Sequence, residues 1–256
     1  IHLKVQNRTA LLPVDYQYLM SSAVYKLIKA GDEAYSKFLH DEGFSMGLKR
    51  FKLFTFSPLR LPKYKLWKEK GVFELFEKEV SFIVSFMADK AAEAFVKGMF
   101  KDQRISIGDR FNQLDMEVTM IEAMPQPLFL DTMEYQSLSP MVLKKKEAGK
   151  KHGTYLAPDH HEFGEFLINN LISKAMAYQI ASQEYAERPF DHYRFELLGE
   201  YKSKLVRIRP YTSEETQVKG NLFRFRLTVP SLLQEIGYYA GFGVDNGMGF
   251  GFGEVV

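Results

Sequence analysis

The chain of 256 residues contains no cysteine. Disulfides and thiolate metal sites are thereby excluded, and a reducing compartment is the natural expectation. Long apolar runs are lacking too. The longest, Val80 to Ala88, is broken by two serines and falls far short of the ~20 residues that cross a bilayer. No signal-peptide pattern opens the chain, so a cytoplasmic location is expected. No Walker, HExxH or GxSxG motif occurs, which leaves P-loop, zincin and α/β-hydrolase chemistry without a foothold. Nor does one sign of charge dominate: 34 Lys and Arg face 32 Asp and Glu, for a net +2. What is present is core-forming residues, 46% hydrophobic and 14% aromatic. That is the composition of one large or two ordinary globular domains.

Glycine is concentrated where the chain closes, in GFGVDNGMGFGFGEVV from Gly241 to Val256. The unit Gly-Phe-Gly stands at 241–243 and again at 249–251, with Gly247 and Gly253 as extras. Each glycine costs about 0.5–1 kcal/mol relative to Ala in a regular element. Such a run implies positive φ angles or a close approach of another molecule to the backbone. The phenylalanine inside each unit can anchor the loop in a core. Tight turns are one reading and a backbone cradle for an anion such as phosphate the other. Neither a Gly-Lys-Ser/Thr nor a βαβ context accompanies it.

Basic residues cluster between Lys49 and Lys70, where eight lysines and arginines, Lys49, Arg50, Lys52, Arg60, Lys63 and Lys65 among them, face one acid, Glu69. Phe51, Phe54, Phe56, Tyr64 and Trp67 interleave them. This mixture suits a groove that neutralises phosphates and stacks bases, although a solvated strand face would read the same way. A second cluster, Lys144–Lys146 with Lys150 and Lys151, reads as a solvated loop.

Periodicity predicts a strand over 2–8 and a helix opened by Pro13 with Asp15 as N-cap. On that helix Met20, Val24, Leu27 and Ile28 form an apolar stripe, with Tyr18, Ser22, Tyr25 and Lys29 beside it. A short helix over 33–40, a strand over 51–56 and a loop over 58–70 follow. Then come paired strands at 71–76 and 79–86, a helix over 87–100 and a strand over 111–123. Pro125 and Pro127 mark a joint. Beyond it lie a strand over 132–143, edge or bulged because of Pro140, and a helix from Asp159 to about Ser182 with Glu162 in a capping box. Strands including 222–229, a helix over 231–239 and a strand over 253–256 complete the order. Each half reads β, helix, β, β, helix, β. The expected fold is α+β, two tandem ferredoxin-like domains at 1–123 and 124–256 with antiparallel sheets.

Of the six histidines, His160 and His161 beside Asp159 could form a ligand cluster. Adjacent helix residues point about 100° apart, and no metal site is assigned. His40 closes a short helix before Asp41-Glu42-Gly43 and stands close to the basic strand.

Several of these segments together carry a family resemblance. They are Ser-Ser-Ala-Val-Tyr25-Lys-Leu-Ile, the Phe38–Phe44 turn with His40, Lys52-Leu-Phe-Thr-Phe-Ser57, Leu138–Val142 and the closing glycine run. In order and spacing the chain resembles the Cas family six endoribonucleases of the RAMP superfamily, which cut CRISPR precursor transcripts. The resemblance implies two RRM-like domains in tandem and cleavage of repeat RNA with no metal or other cofactor. The RNA's own 2′-hydroxyl would attack, leaving a 2′,3′-cyclic phosphate and a 5′-hydroxyl. Residues matching Tyr25, His40 and Lys52 would be catalytic. His40 transfers a proton, Tyr25 orients or deprotonates the 2′-hydroxyl, and Lys52 stabilises charge. The segment Ser45–Leu48 lengthens the connection from His40, so Lys49 or Arg50 is an alternative to Lys52 at the phosphate.

RNA binding is expected of the Lys49–Lys70 window, of Arg207, Arg209, Arg224 and Arg226, and of Gly241, Gly243, Gly249 and Gly251. The partner implied is precursor CRISPR RNA, with an effector complex and a homodimer left open. A catalytically silent RAMP subunit that holds RNA is the alternative function, and a generic two-RRM protein is disfavoured for want of RNP-type aromatics.

Overall fold

The computed structural model of the protein describes residues 1–146, 153–178 and 193–256. Lys150, Lys151, His152, His192 and the predicted end of the long helix lie outside these.

Two four-stranded antiparallel sheets organise the molecule. In the first, β1 (His2–Val5) lies between β8 (Glu79–Ser81) and β11 (Gln113–Met120), and β10 (Arg104–Gly108) extends the far edge. β9 (Val84–Phe86) follows β8 after a two-residue break and pairs with β5 (Phe54–Phe56). Taking β8 and β9 as one interrupted strand, the order β11, β1, β8/β9, β5 is that of a ferredoxin-like sheet, with β10 added. Helices α1 (Tyr16–Gly31) and α3 (Asp89–Asp102) belong to this half, and α2 (Glu33–Asp41) follows α1 directly. Leu3, Val24, Ile28, Phe54, Phe56, Phe95 and Leu114 are all buried in one core.

The second sheet runs β15 (Arg194–Ile208), β16 (Thr216–Thr228), β12 (Thr132–Ser137), β17 (Gly253–Val255). With α4 (Phe163–Ala177) between β12 and β15, and α5 (Ser231–Ala240) between β16 and β17, it repeats the ferredoxin-like order. Alternation on β16 fills its core: Phe223, Phe225 and Leu227 are buried, as period-2 patterning requires. α4 is apolar over most of its circumference and most of its residues are buried, the signature of a helix enclosed on several sides.

Several local expectations are corrected. The strand expected over 51–56 is two strands, β4 (Lys49–Phe51) and β5, separated at Leu53, whose φ is +52°. Lys52 therefore does not share a pleated face with Phe54. β4 instead forms a hairpin with β3 (Phe44–Met46). The stretch 58–70 is not all loop, because β6 (Tyr64–Trp67) pairs with β7 (Val72–Leu75), which in turn pairs with β2 (Ala10–Pro13). The segments 71–76 and 79–86 do not pair with each other, since β7 and β8 join different sheets. β12 ends before Pro140 and lies inside its sheet, not at an edge. Asp15 and Glu162 make no side-chain cap. Asp15 is taken by Arg207 at 2.5 Å and Glu162 by Lys145 at 2.6 Å, ion pairs that outcompete a cap.

Candidate active site

The glycine loop lies where the two halves meet. Phe242 is fully buried in the second core, with ring centroids 4.8 Å from Tyr135 and 5.2 Å from Phe225. Phe250 is also fully buried, in a small cluster with Val142 and Val206. The first half grips the loop by hydrogen bonds. Ser21 Oγ donates to Gly247 O at 2.7 Å, Gln17 Nε2 to Gly249 O at 3.0 Å, and Thr55 Oγ1 to Phe250 O at 3.0 Å.

Gly241, Gly243, Gly249 and Gly251 all have positive φ and are buried. A Cβ on Gly249 would run into the Phe56 ring, and one on Gly251 into Phe242 O. These four glycines serve close internal packing and do not line the cleft. The part of the loop that lines the cleft is its tip, Val244–Met248, which carries a single 3₁₀ turn at Asn246–Met248.

That tip forms one wall of an open cleft of about 940 Å³. Beside it runs the non-apolar stripe of α1. Tyr18, Ser22, Tyr25 and Lys29 all line it, as does Lys26. The end of α2 adds His40 and Asp41, β4 adds Arg50, and the β4–β5 connection adds Lys52. Tyr25, His40 and Lys52, 27 positions apart at most, thus share one cavity. A Cβ added to Gly247 would lie 3.2 Å from the Tyr25 hydroxyl and 3.3 Å from Lys52 Cβ, so the loop tip faces both with little more than a methyl's room between.

Each of the three has a defined environment. Tyr25 packs edge-on against Phe54, centroids 5.4 Å apart, and burial pushes its hydroxyl pKa well up. His40 is exposed, with Nδ1 2.8 Å from Asp41 Oδ1, which leaves Nε2 as its open ring nitrogen. The same contact, with His40 donating, holds the Asp41 carboxyl below its ordinary value. Lys52 Nζ donates to the carbonyls of Leu39 and His40, the unpartnered end of α2. Burial, and then Arg50, lower its pKa.

The other expected contacts separate. Arg50 lines the cleft and donates to Asp41 O at 2.7 Å. Lys49 turns away to Ser173 Oγ on α4, 2.9 Å off. Arg60 bridges to Ser81, and Lys63 and Lys65 belong to the β6 region, where the Lys65 ammonium sits 3.6 Å above the Trp67 ring. None of these three lines the cleft. Arg207 pairs with Asp15. Arg224 and Arg226 both hold Glu134 at 2.6 Å, on the sheet face of β16. Arg209 lines the cleft and is paired with Glu214. Lys37 lines the cleft too, and neither it nor Lys26 is among the expected contacts. Helical spacing from Ser22 and Lys29 could have flagged Lys26.

His160, His161 and Glu162 place ligand atoms within 4.8 Å of one another. Glu162 accepts twice from Lys145, at 2.6 and 2.7 Å, and His160 Nδ1 accepts from the Glu162 N–H. The carboxylate charge is thus already compensated, and Asp159 is engaged by Tyr201. Among the described residues, no helix is long and apolar enough to cross a membrane.

Comparison with known proteins gives consistent matches. The model for CRISPR associated protein Cas6, C-terminal, matches residues 124–255, and that for CRISPR-associated protein Cas6, N-terminal, residues 11–115. CRISPR-associated endoribonuclease Cas6 1 of Methanocaldococcus jannaschii is 30% identical over 255 residues, covering 98% of this chain and 89% of the relative. CRISPR-associated endoribonuclease Cas6 of Pyrococcus furiosus is 27% identical, covering 98% and 86%. Among solved structures, a Cas6-related gene product from Pyrococcus furiosus superposes with a TM-score of 0.79 at 22% identity, covering 99% and 96%. A RAMP protein described as binding different RNA substrates gives 0.77 at 24%, covering 100% and 97%. These two likenesses bear on the fold, which is the tandem ferredoxin-like one expected.

Proposed function

The chain belongs to the Cas6 family of CRISPR-associated proteins, and from that premise we propose that it is an endoribonuclease cutting CRISPR precursor RNA within the repeat. The observation that carries the reading is the shared cleft: Tyr25, His40 and Lys52 line one cavity with the loop tip, together with Arg50, Lys26 and Lys29. Cleavage by the 2′-hydroxyl needs a proton acceptor, a proton donor for the departing 5′-oxygen, and positive charge near the phosphorane.

His40 is the proton-transfer group. Asp41 on Nδ1 fixes the tautomer and leaves Nε2 for the substrate. Tyr25, its pKa raised by burial, serves as a hydrogen-bond donor that orients the 2′-hydroxyl, not as a base. Lys52 holds the helix end that carries His40 and, with Arg50, supplies the positive field. Nε2 takes the proton of the 2′-hydroxyl as it attacks, and the imidazolium so formed gives a proton to the departing 5′-oxygen, so the protons balance and no step calls for a metal. The bond formed is 2′-O–P and the bond broken is P–5′-O, so the products are a 2′,3′-cyclic phosphate and a 5′-hydroxyl. The domain division at residues 123 and 124, with both groups of proton chemistry in the first domain, belongs to the same reading.

The test is incubation with end-labelled repeat RNA in excess EDTA, followed by end-group analysis. A cyclic phosphate and a 5′-hydroxyl at one position support the proposal. Complete loss of cleavage on chelation, or a 3′-hydroxyl product, overturns it.

A further inference from the structure

Lys174 sits in the last turn of α4 and is 1% exposed, the only charged side chain among the described residues that is buried. No carboxylate meets it. Its Nζ instead donates to Gly241 O, Gly243 O and the Asn246 Oδ1, the last two at 2.9 and 2.8 Å. An ammonium has three N–H donors, and all three end on the glycine loop. Burying an ion costs several kcal/mol before compensation, and an apolar side chain of similar length would fill this space at no such cost. What an apolar side chain could not do is draw three oxygens from separate parts of the loop onto one point.

Asn246 completes the hub. While its Oδ1 accepts from Lys174, its Nδ2 donates to Phe242 O and Phe250 O. The two Gly-Phe-Gly units are thereby tied together through one amide, and that amide is anchored to α4. The next residue, Gly247, is the one that faces the Tyr25 hydroxyl and Lys52. A continuous path therefore runs from the core of the second half, through Lys174 and Asn246, to the wall of the cleft formed by the first.

We infer that Lys174 is a positioning residue for the cleft, its buried ammonium fixing the loop tip against Tyr25 and Lys52. It touches no substrate atom. The inference rests on the reading of the cleft as the reaction site, but its structural half can be tested without RNA.

The experiment is Lys174→Met in the full chain, read by amide hydrogen exchange and by single-turnover cleavage. Expected are unchanged exchange in both sheets and lost protection confined to residues 241–249. Expected too is a cleavage rate lower by about 10²-fold, the scale of a small misplacement of reacting groups, with RNA affinity nearly unchanged. A merely structural role would lower folded content, and affinity with it, without separating rate from binding. Unchanged loop protection, or full cleavage rate with a loosened loop, overturns the inference. If Lys174→Met does not fold, Asn246→Ala is measured instead. It keeps Lys174 and two of its acceptors, and the same local loss of protection is expected, while unaltered protection counts against the proposal. Should the unmodified protein fail to cut repeat RNA, the functional reading falls, and the exchange measurement still decides whether Lys174 holds the loop.

Discussion

Lys52 Nζ donates to the backbone carbonyl of His40 at 2.9 Å, across twelve positions of sequence. With a second bond to Leu39 O, it caps the C-terminal end of α2, where orphan carbonyls and the helix dipole both favour a cation. Lys52 thus holds the histidine's backbone as well as contributing charge. Lys52→Met is expected to lower stability by about 1–3 kcal/mol, the cost of leaving partly buried acceptors unpaired, and to slow cleavage. Urea unfolding and single-turnover kinetics on one preparation check both. A variant that slows cleavage at wild-type stability would assign Lys52 to the phosphate alone.

Among the described residues the His40 side chain hydrogen-bonds only to its neighbour Asp41, so its removal should leave the fold intact. His40→Ala is expected to slow cleavage about 10²–10⁴-fold, the usual worth of general acid–base catalysis. RNA affinity by filter binding should hardly change. An active His40→Ala protein would place the proton donor elsewhere in the cleft.

Tyr25 is shielded on the side facing Phe54 and its hydroxyl resists ionisation. A group of that kind donates a hydrogen bond across the accessible pH range and gives no alkaline limb. Tyr25→Phe is therefore expected to slow cleavage less than His40→Ala and to keep the shape of the pH–rate profile. Disappearance of one limb in the Phe variant would make the tyrosine the base.

Gly247 and Gly249 stand two residues apart and should respond oppositely to alanine. Gly249 has φ +81° and no room beside Phe56. Gly249→Ala is expected to cost about 1–3 kcal/mol from left-handed backbone strain alone, with further loss from the clash. Gly247 has ordinary backbone and side-chain neighbours at 3.2–3.3 Å that can give slightly. Gly247→Ala should cost less stability than Gly249→Ala, having no backbone strain to add, yet slow cleavage, because its methyl occupies the space beside Tyr25 and Lys52. Thermal melts and cleavage rates separate the two.

Glu134 accepts from Arg226 and Arg224, which hold its carboxyl below the ordinary 4.5. The unfolded chain therefore binds this proton before the folded one does. The stability contributed is present above pH 4.5, begins to go as pH falls below it, and is lost once the folded value is passed. Glu134→Gln should flatten the acid limb of the stability profile. An unchanged limb would mean that the two arginines do not face this carboxylate in solution and are free for RNA.

Sequence alone determined much of the frame. The burial stripe of α1, the alternation of β16 and the aromatic anchors Phe242 and Phe250 follow from near-neighbour periodicity, which the chain carries in itself. Helical spacing also put Tyr18, Ser22, Tyr25 and Lys29 on one flank, and that flank faces the cleft. Tertiary structure alone decided what the long polar side chains do. Lys49, Lys52, Lys65 and Arg207 look alike in a basic list. Their partners are Ser173, the end of α2, Trp67 and Asp15. A lysine or arginine has a flexible stem several ångströms long, so its partner is set by whatever element packs within reach. The same holds for Lys174, a single lysine in an apolar helix until the glycine loop folds over it and supplies its three acceptors.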